Sequence, residues 1–179
     1  MRRARSKRRH VPRIVTGAIA GFVATLPMTM AMRRLHRGLP QQERYPLPPR
    51  ELTERLTPAR RDDDGPDRDA GPQETTMAAH FVYGAAAGAL LPLIRSRPTV
   101  ATGSIYGVAV WAASYLGWIP TLGTLRPATG HPARRNLLMI AAHLVWGAAL
   151  AVAHRELVQA EEEAFAAGPE ADAPRRPDA

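Results

Sequence analysis

The stretch "AAHFVYGAA" at residues 78–86 returns as "AAHLVWGAA" at residues 141–149, with seven of nine letters unchanged. Each copy lies inside a longer run that lacks Asp, Glu, Lys and Arg. Four such runs exist: 14–32, 75–94, 98–125 and 136–154, of 19, 20, 28 and 19 residues. A hydrocarbon core about 30 Å thick is crossed by roughly 20 mostly apolar residues rising 1.5 Å each, so every run is long enough to span. The mean hydropathy of −0.23 hides this, because the charged residues are segregated into the remaining segments. A soluble core could bury one such helix. Four in 179 residues would leave too little polar surface to cover them.

The repeat extends outward from the quoted stretch. The first run reads "TGAIAGFVATLPMTMAM" from Thr16 and the third "TGSIYGVAVWAASYLGW" from Thr102, sharing Thr, Gly, Ile and Gly in register. The order is A, B, A′, B′, the trace that duplication of a two-helix hairpin leaves. With two spans per hairpin, both copies enter the membrane in the same direction, as parallel repeats about an axis along the membrane normal. The expected fold is therefore all-α: a polytopic membrane protein of four transmembrane helices arranged as two parallel-repeat hairpins.

The expected organisation is a basic N-terminal segment (1–13) and four spans at 14–32, 77–94, 99–119 and 136–154. A polar loop (33–76) joins the first two spans, a Pro/Gly-rich loop (120–135) the last two, and a polar tail (155–179) ends the chain. Within the first loop, "PLPPRELTERLT" from Pro46 sets Leu52 and Leu56 four apart, predicting a short amphipathic helix at the interface. The acidic "DDDGPD" that follows does not place Gly65 in an EF-hand frame and reads as a solvated turn. Pro27 is expected to kink or end the first helix about two turns before Arg33.

With the N-terminus inside, twelve Lys and Arg fall on each side of the membrane, nine of the outer ones in the long loop. Topology is set mainly by short loops and the first span, so "RSRP" at 95–98 places both termini in the cytoplasm. The basic start carries no aromatic interleaving and no reading fold behind it, and nucleic acid is not an expected partner. The residues after Arg8 and Arg9 do not match a twin-arginine export signal.

Small residues recur four apart in each span: Gly17 and Gly21, Gly84 and Gly88, Gly103 and Gly107, Gly147 and Ala151. In lipid, helices associate where small side chains let backbones approach, so these pairs predict packing seams, and self-association through them is expected. His80 lies one turn before Gly84 and His143 one turn before Gly147, which puts each imidazole on the seam face, at similar depth. A polar ring below the membrane interface needs a partner, and the pair is the candidate intramembrane site. Three readings compete for it: a structural hydrogen bond to a carbonyl or to Thr25, Thr29, Ser114 or Tyr115; a proton-responsive or transport site; and haem or metal ligation. Tyr115 and Trp118 are expected in an interfacial aromatic belt.

Cysteine is absent, which removes disulfides and thiolate metal sites. No metal site and no cofactor is expected. Carboxylates are confined to loops and tails, and neither a nucleophile motif, a Walker loop nor a dinucleotide fingerprint is present, so the chain is not read as an enzyme, and no pattern designates a small-molecule substrate.

The glycine-paired first span, the histidine-bearing second, "IPTLGTLRPATGHPARRN" after the third and "HLVWG" in the fourth resemble the YagU-like bacterial inner-membrane proteins. The likeness covers most of 14–154. It implies a multi-pass protein of the bacterial inner membrane associated with acid resistance, maps "HLVW" onto His143, Leu144, Val145 and Trp146, and carries over no catalytic residue. The functional expectation is a membrane component aiding acid or envelope stress tolerance; the alternatives are a small transporter or channel subunit, and a structural or assembly partner of another membrane protein.

Overall fold

A computed structural model describes residues 2–44, 71–121 and 128–166. Among them all regular structure is helical. Helix α1 runs Arg2–Arg37, α2 Gly71–Ile94, α3 Val100–Ala112 and α4 Ala133–Ala166. Three helices are long and apolar enough to cross a membrane, within Arg13–Arg37, Thr75–Ile94 and Ala133–Ala164. The amphipathic helix expected near Leu52 and the end of the polar tail lie outside the described residues.

The third expected span behaves differently. Its regular α-helical part, α3, has 13 residues; the chain then widens into a π-helical stretch, Ala113–Trp118, and ends in a turn at Ile119–Thr121. Two local features favour the change. Ser114 Oγ donates back to the Val110 carbonyl (2.8 Å), competing for a backbone acceptor. Pro120 has no N–H for the Leu116 carbonyl, and its ring crowds that oxygen, so the helix upstream must open. Gly117, at φ −109° and ψ −108°, leaves helical geometry within the stretch. At its other end α3 starts sharply, where Thr99 Oγ1 accepts from the Thr102 N–H (3.2 Å) and Thr102 Oγ1 from the Thr99 N–H (2.8 Å), a reciprocal cap.

Pro27 does not end α1, which continues ten residues beyond it to Arg37. The basic start is likewise continuous with the helix, which begins at Arg2. At its C-terminus two orphan carbonyls, of Arg37 and Leu39, accept from the Arg44 guanidinium (both 2.7 Å). Arg135, buried at the start of α4, donates to the Glu43 carbonyl (3.2 Å) and ties that turn to the fourth helix.

Packing is uneven around the bundle. α1 lies along both α2 and α4, α3 lies along α4, and α2 and α3 barely meet. Glycines set the close approaches. A Cβ on Gly17 would stand 2.7 Å from the Gly88 carbonyl oxygen, and one on Gly88 2.5 Å from that of Gly17; Gly21 and Gly84 oppose each other in the same way. Across α3 and α4, Gly103 faces Gly147 and Ala151, and Gly107 faces the backbone at His143 and Gly147. All eight predicted seam residues thus lie at helix contacts.

Ala20 and Ala24 of α1 are fully buried, and Trp146 of α4 reaches across to donate to the Gly21 carbonyl (3.3 Å). On α3 the bulkier Tyr106 and Val110 stand where α2 would have to approach. There the helices are joined by two tyrosines instead: Tyr83 Oη pairs with Ser114 Oγ (2.6 Å), and Tyr106 Oη donates to the Ala87 carbonyl (2.6 Å).

The outer faces carry large apolar side chains in the open. Ile19, Phe22, Val23, Leu26 and Met30 on α1, Val82, Leu90 and Leu93 on α2, Ile105 on α3 and Leu137, Leu144 and Val152 on α4 are all exposed. A water-soluble bundle of this size would hide much of that surface; a helix exposed to hydrocarbon has no need to.

Candidate functional site

The separation of α2 from α3 leaves a cavity of about 250 Å³ over the faces of α1 and α4. Polar groups come from several elements: Thr25 from α1, Thr76, His80 and Tyr83 from α2, Ser114 and Tyr115 from the π-helical stretch, and His143 from α4. Met28, Met139 and Trp146 are among the apolar side chains that line it. The sequence-predicted pair, His80 and His143, comes together on this one cavity. His143 is 8% exposed, while His80 is half-buried.

Hydrogen-bond accounting defines what the cavity offers. Thr25 Oγ1 donates to the Gly21 carbonyl (2.8 Å), and Ser114 Oγ to that of Val110 (2.8 Å). Since the single Ser114 proton is so used, Tyr83 donates in the Tyr83–Ser114 pair. His143 Nδ1 lies 2.8 Å from the Met139 carbonyl oxygen, which can only accept, so Nδ1 carries the proton of the neutral ring and Nε2 is left as a bare acceptor. Trp146 Nε1–H is committed to Gly21. His80 has no hydrogen-bond partner among the described residues; its ring neighbours Phe81, with centroids 6.5 Å apart.

Among the described residues, neither a carboxylate nor a guanidinium or ammonium group lines the cavity. Among the described residues no three His, Cys, Asp or Glu cluster as metal ligands would. A third imidazole, His154, is buried at the far end of α4, away from the cavity.

Tyr115 does not face outward as the expected aromatic belt would have it. Tyr115 is 6% exposed, faces the bundle interior and stacks near Trp111 (6.2 Å, 18° between planes). Trp118 is partly exposed but also lines the cavity, 6.2 Å from the ring of Tyr83. The physical reason is the π-helical stretch, whose extra residue per turn rotates the side chains after Ala113 away from their α-helical positions. Tyr83 and Tyr106, the struts between α2 and α3, were not singled out by sequence. A signal was present at Tyr83, which occupies the place of Trp146 in the repeated stretch.

Compared with protein-family models, with curated proteins and with solved structures, the chain matches none.

Proposed function

We propose that the chain is a non-enzymatic, four-span membrane protein built from a duplicated hairpin, in which the histidine cavity responds to protons. The observation that carries this reading is the meeting of two imidazoles on one cavity to which the described residues bring no carboxylate. Histidine is the side chain whose ordinary titration falls between pH 5 and 8. A proton arriving at the bare Nε2 of His143 or at His80 creates a cation with no counter-charge among the described lining residues, and a second proton adds a like charge beside it. The yielding side of the bundle is the α2–α3 gap, which two tyrosine hydrogen bonds bridge.

The duplication is supported by the glycine contacts. Residues offset by 86 on the first and third segments, and by 63 on the second and fourth, form seams in both hairpins. The two seams are slid relative to one another by about a helical turn, since Gly17 faces Gly88 whereas Gly103 faces Gly147 as well as Ala151. On this reading α3 and its π-helical extension cross the bilayer as the third of four spans, and both termini are cytoplasmic. The likeness to YagU-like proteins points to the bacterial inner membrane and to tolerance of acid or envelope stress.

Replacing both histidines by Phe in the producing bacterium is expected to remove acid survival that depends on this protein, at unchanged membrane abundance. Survival equal to wild type would refute the proton-responsive role. A transporter is the second reading, favoured by the open α2–α3 side of the cavity; proteoliposomes that move neither protons nor small solutes would count against it.

A further inference from the structure

We propose that the two-histidine cavity is a binding site for a small, membrane-soluble hydroxyarene of the phenol or hydroquinone class, whose hydroxyl donates to an imidazole. This assignment rests on the reading of the chain as a membrane protein and names the ligand of its cavity.

Size sets the first limit. A dry cavity of about 150 Å³ accommodates benzene, and this one, at about 250 Å³, has room for one substituted ring or two fused rings. The wall is suited to a flat apolar body, with the rings of Tyr83, Trp118, Tyr115 and Trp146 among the lining side chains.

Polarity sets the second. Thr25, Tyr83, Ser114, Trp146 and the Nδ1 of His143 have all spent their protons on carbonyls or on one another. Beside these the wall offers an acceptor at the bare Nε2 of His143, while the neutral ring of His80 keeps one donor and one acceptor. A carbonyl-bearing ligand would leave the Nε2 of His143 without a donor, and among the described residues no Arg or Lys lines the cavity to neutralise an anion. A fixed ammonium would find no carboxylate. A neutral hydroxyl on an apolar ring satisfies both conditions, because it brings the missing proton and carries no charge into the cavity.

Access sets the third. α2 and α3 barely touch, so a lipid-dissolved ring can enter between them, and a substituent chain can remain in the gap. The π-helical stretch widens the wall at this point, and its Ser114, Tyr115 and Trp118 line the cavity.

The test uses the full-length protein in lipid nanodiscs, with tryptophan emission as the readout, because Trp118 and Trp146 both line the cavity. Tetramethylhydroquinone is titrated under argon beside its oxidised quinone and its dimethyl ether, which keep the ring and lose the hydroxyl protons. Saturable quenching by the hydroquinone, at least tenfold tighter than by either analogue, is expected, with 4-alkylphenols behaving like the hydroquinone. His143→Phe should reduce that preference to less than twofold. Equal binding of all three ring compounds, tighter binding of the quinone, or no saturable quenching would each overturn the assignment. The wild-type comparison decides the matter even where the variant fails to fold. A protein that stays in the membrane and keeps its histidine-dependent acid survival, yet does not discriminate the hydroquinone, leaves the proton-responsive reading standing and removes only this ligand.

Discussion

Gly147→Leu is expected to abolish recovery of a monodisperse protein from detergent, or to lower its melting temperature by roughly 10 °C or more. Gly147 lies where α3 and α4 come closest. A Cβ there would collide with the Gly103 carbonyl oxygen and meet the Ser104 Cα at 3.0 Å, both backbone atoms that cannot swing aside. Overpacking in a close-packed interior costs about 1–3 kcal/mol when side chains can yield; here two helices must separate along their whole seam. Association in lipid depends on that close approach, so the loss is not offset by burial of the added leucine. Gly38→Ala is the matched control, since its nearest atom is the Leu35 carbonyl oxygen at an ordinary 3.4 Å. Thermal melting by fluorescence-detected size exclusion separates the two, and a Gly147→Leu protein as stable as Gly38→Ala would mean that the seam does not hold the bundle.

Trp146→Ala should produce a loss of similar scale by the opposite route. Trp146 is 2% exposed at the point where α4 meets α1 and α3. Its N–H bonds to the Gly21 carbonyl, and its ring stacks on Tyr106 at 6.0 Å. Removing a fully buried indole costs about 3–5 kcal/mol, through lost contacts and the void left behind. The void would merge with the histidine cavity, because Trp146 is part of its wall. The protein should therefore melt about 10 °C lower, and Trp146→Phe should recover roughly half of the loss while remaining without the Gly21 bond. An unchanged melting temperature in Trp146→Ala would show that α1 and α4 are not held together at this point.

Much of this arrangement is written in local pattern. Three of the four charge-free runs coincide with long apolar helices, because length and apolarity are additive properties of a segment. The glycine spacing marks the seams because it fixes one face of each helix, and His80 and His143 meet on one cavity because each lies a turn from a seam glycine.

Other features depend on which of two local choices the neighbours support. Pro27 reads as a break, yet α1 runs through it to Arg37, in a helix flanked on both sides by α2 and α4. Pro120, Gly117 and Ser114 each hint at irregularity, but a π-helical turn is the outcome of all three acting over six residues, and no one of them announces it. The inward turn of Tyr115 follows from that change of pitch. The α2–α3 gap is the least legible feature. It depends on how α1 and α4 pack against both other helices, and on Tyr83 and Tyr106 reaching across, which no local pattern records.

The central claim, four spans immersed in a bilayer, is tested most directly at the two ends of α3, whose regular helical part is short. The chain contains no cysteine, so Ser96→Cys and Thr129→Cys each introduce a unique thiol, at exposed positions on either side of that segment. Labelling with a membrane-impermeant maleimide in cells with a permeabilised outer membrane and an intact inner membrane is predicted to modify Thr129→Cys, and to modify Ser96→Cys only after the inner membrane is opened. Equal labelling of the two thiols before that step would contradict it.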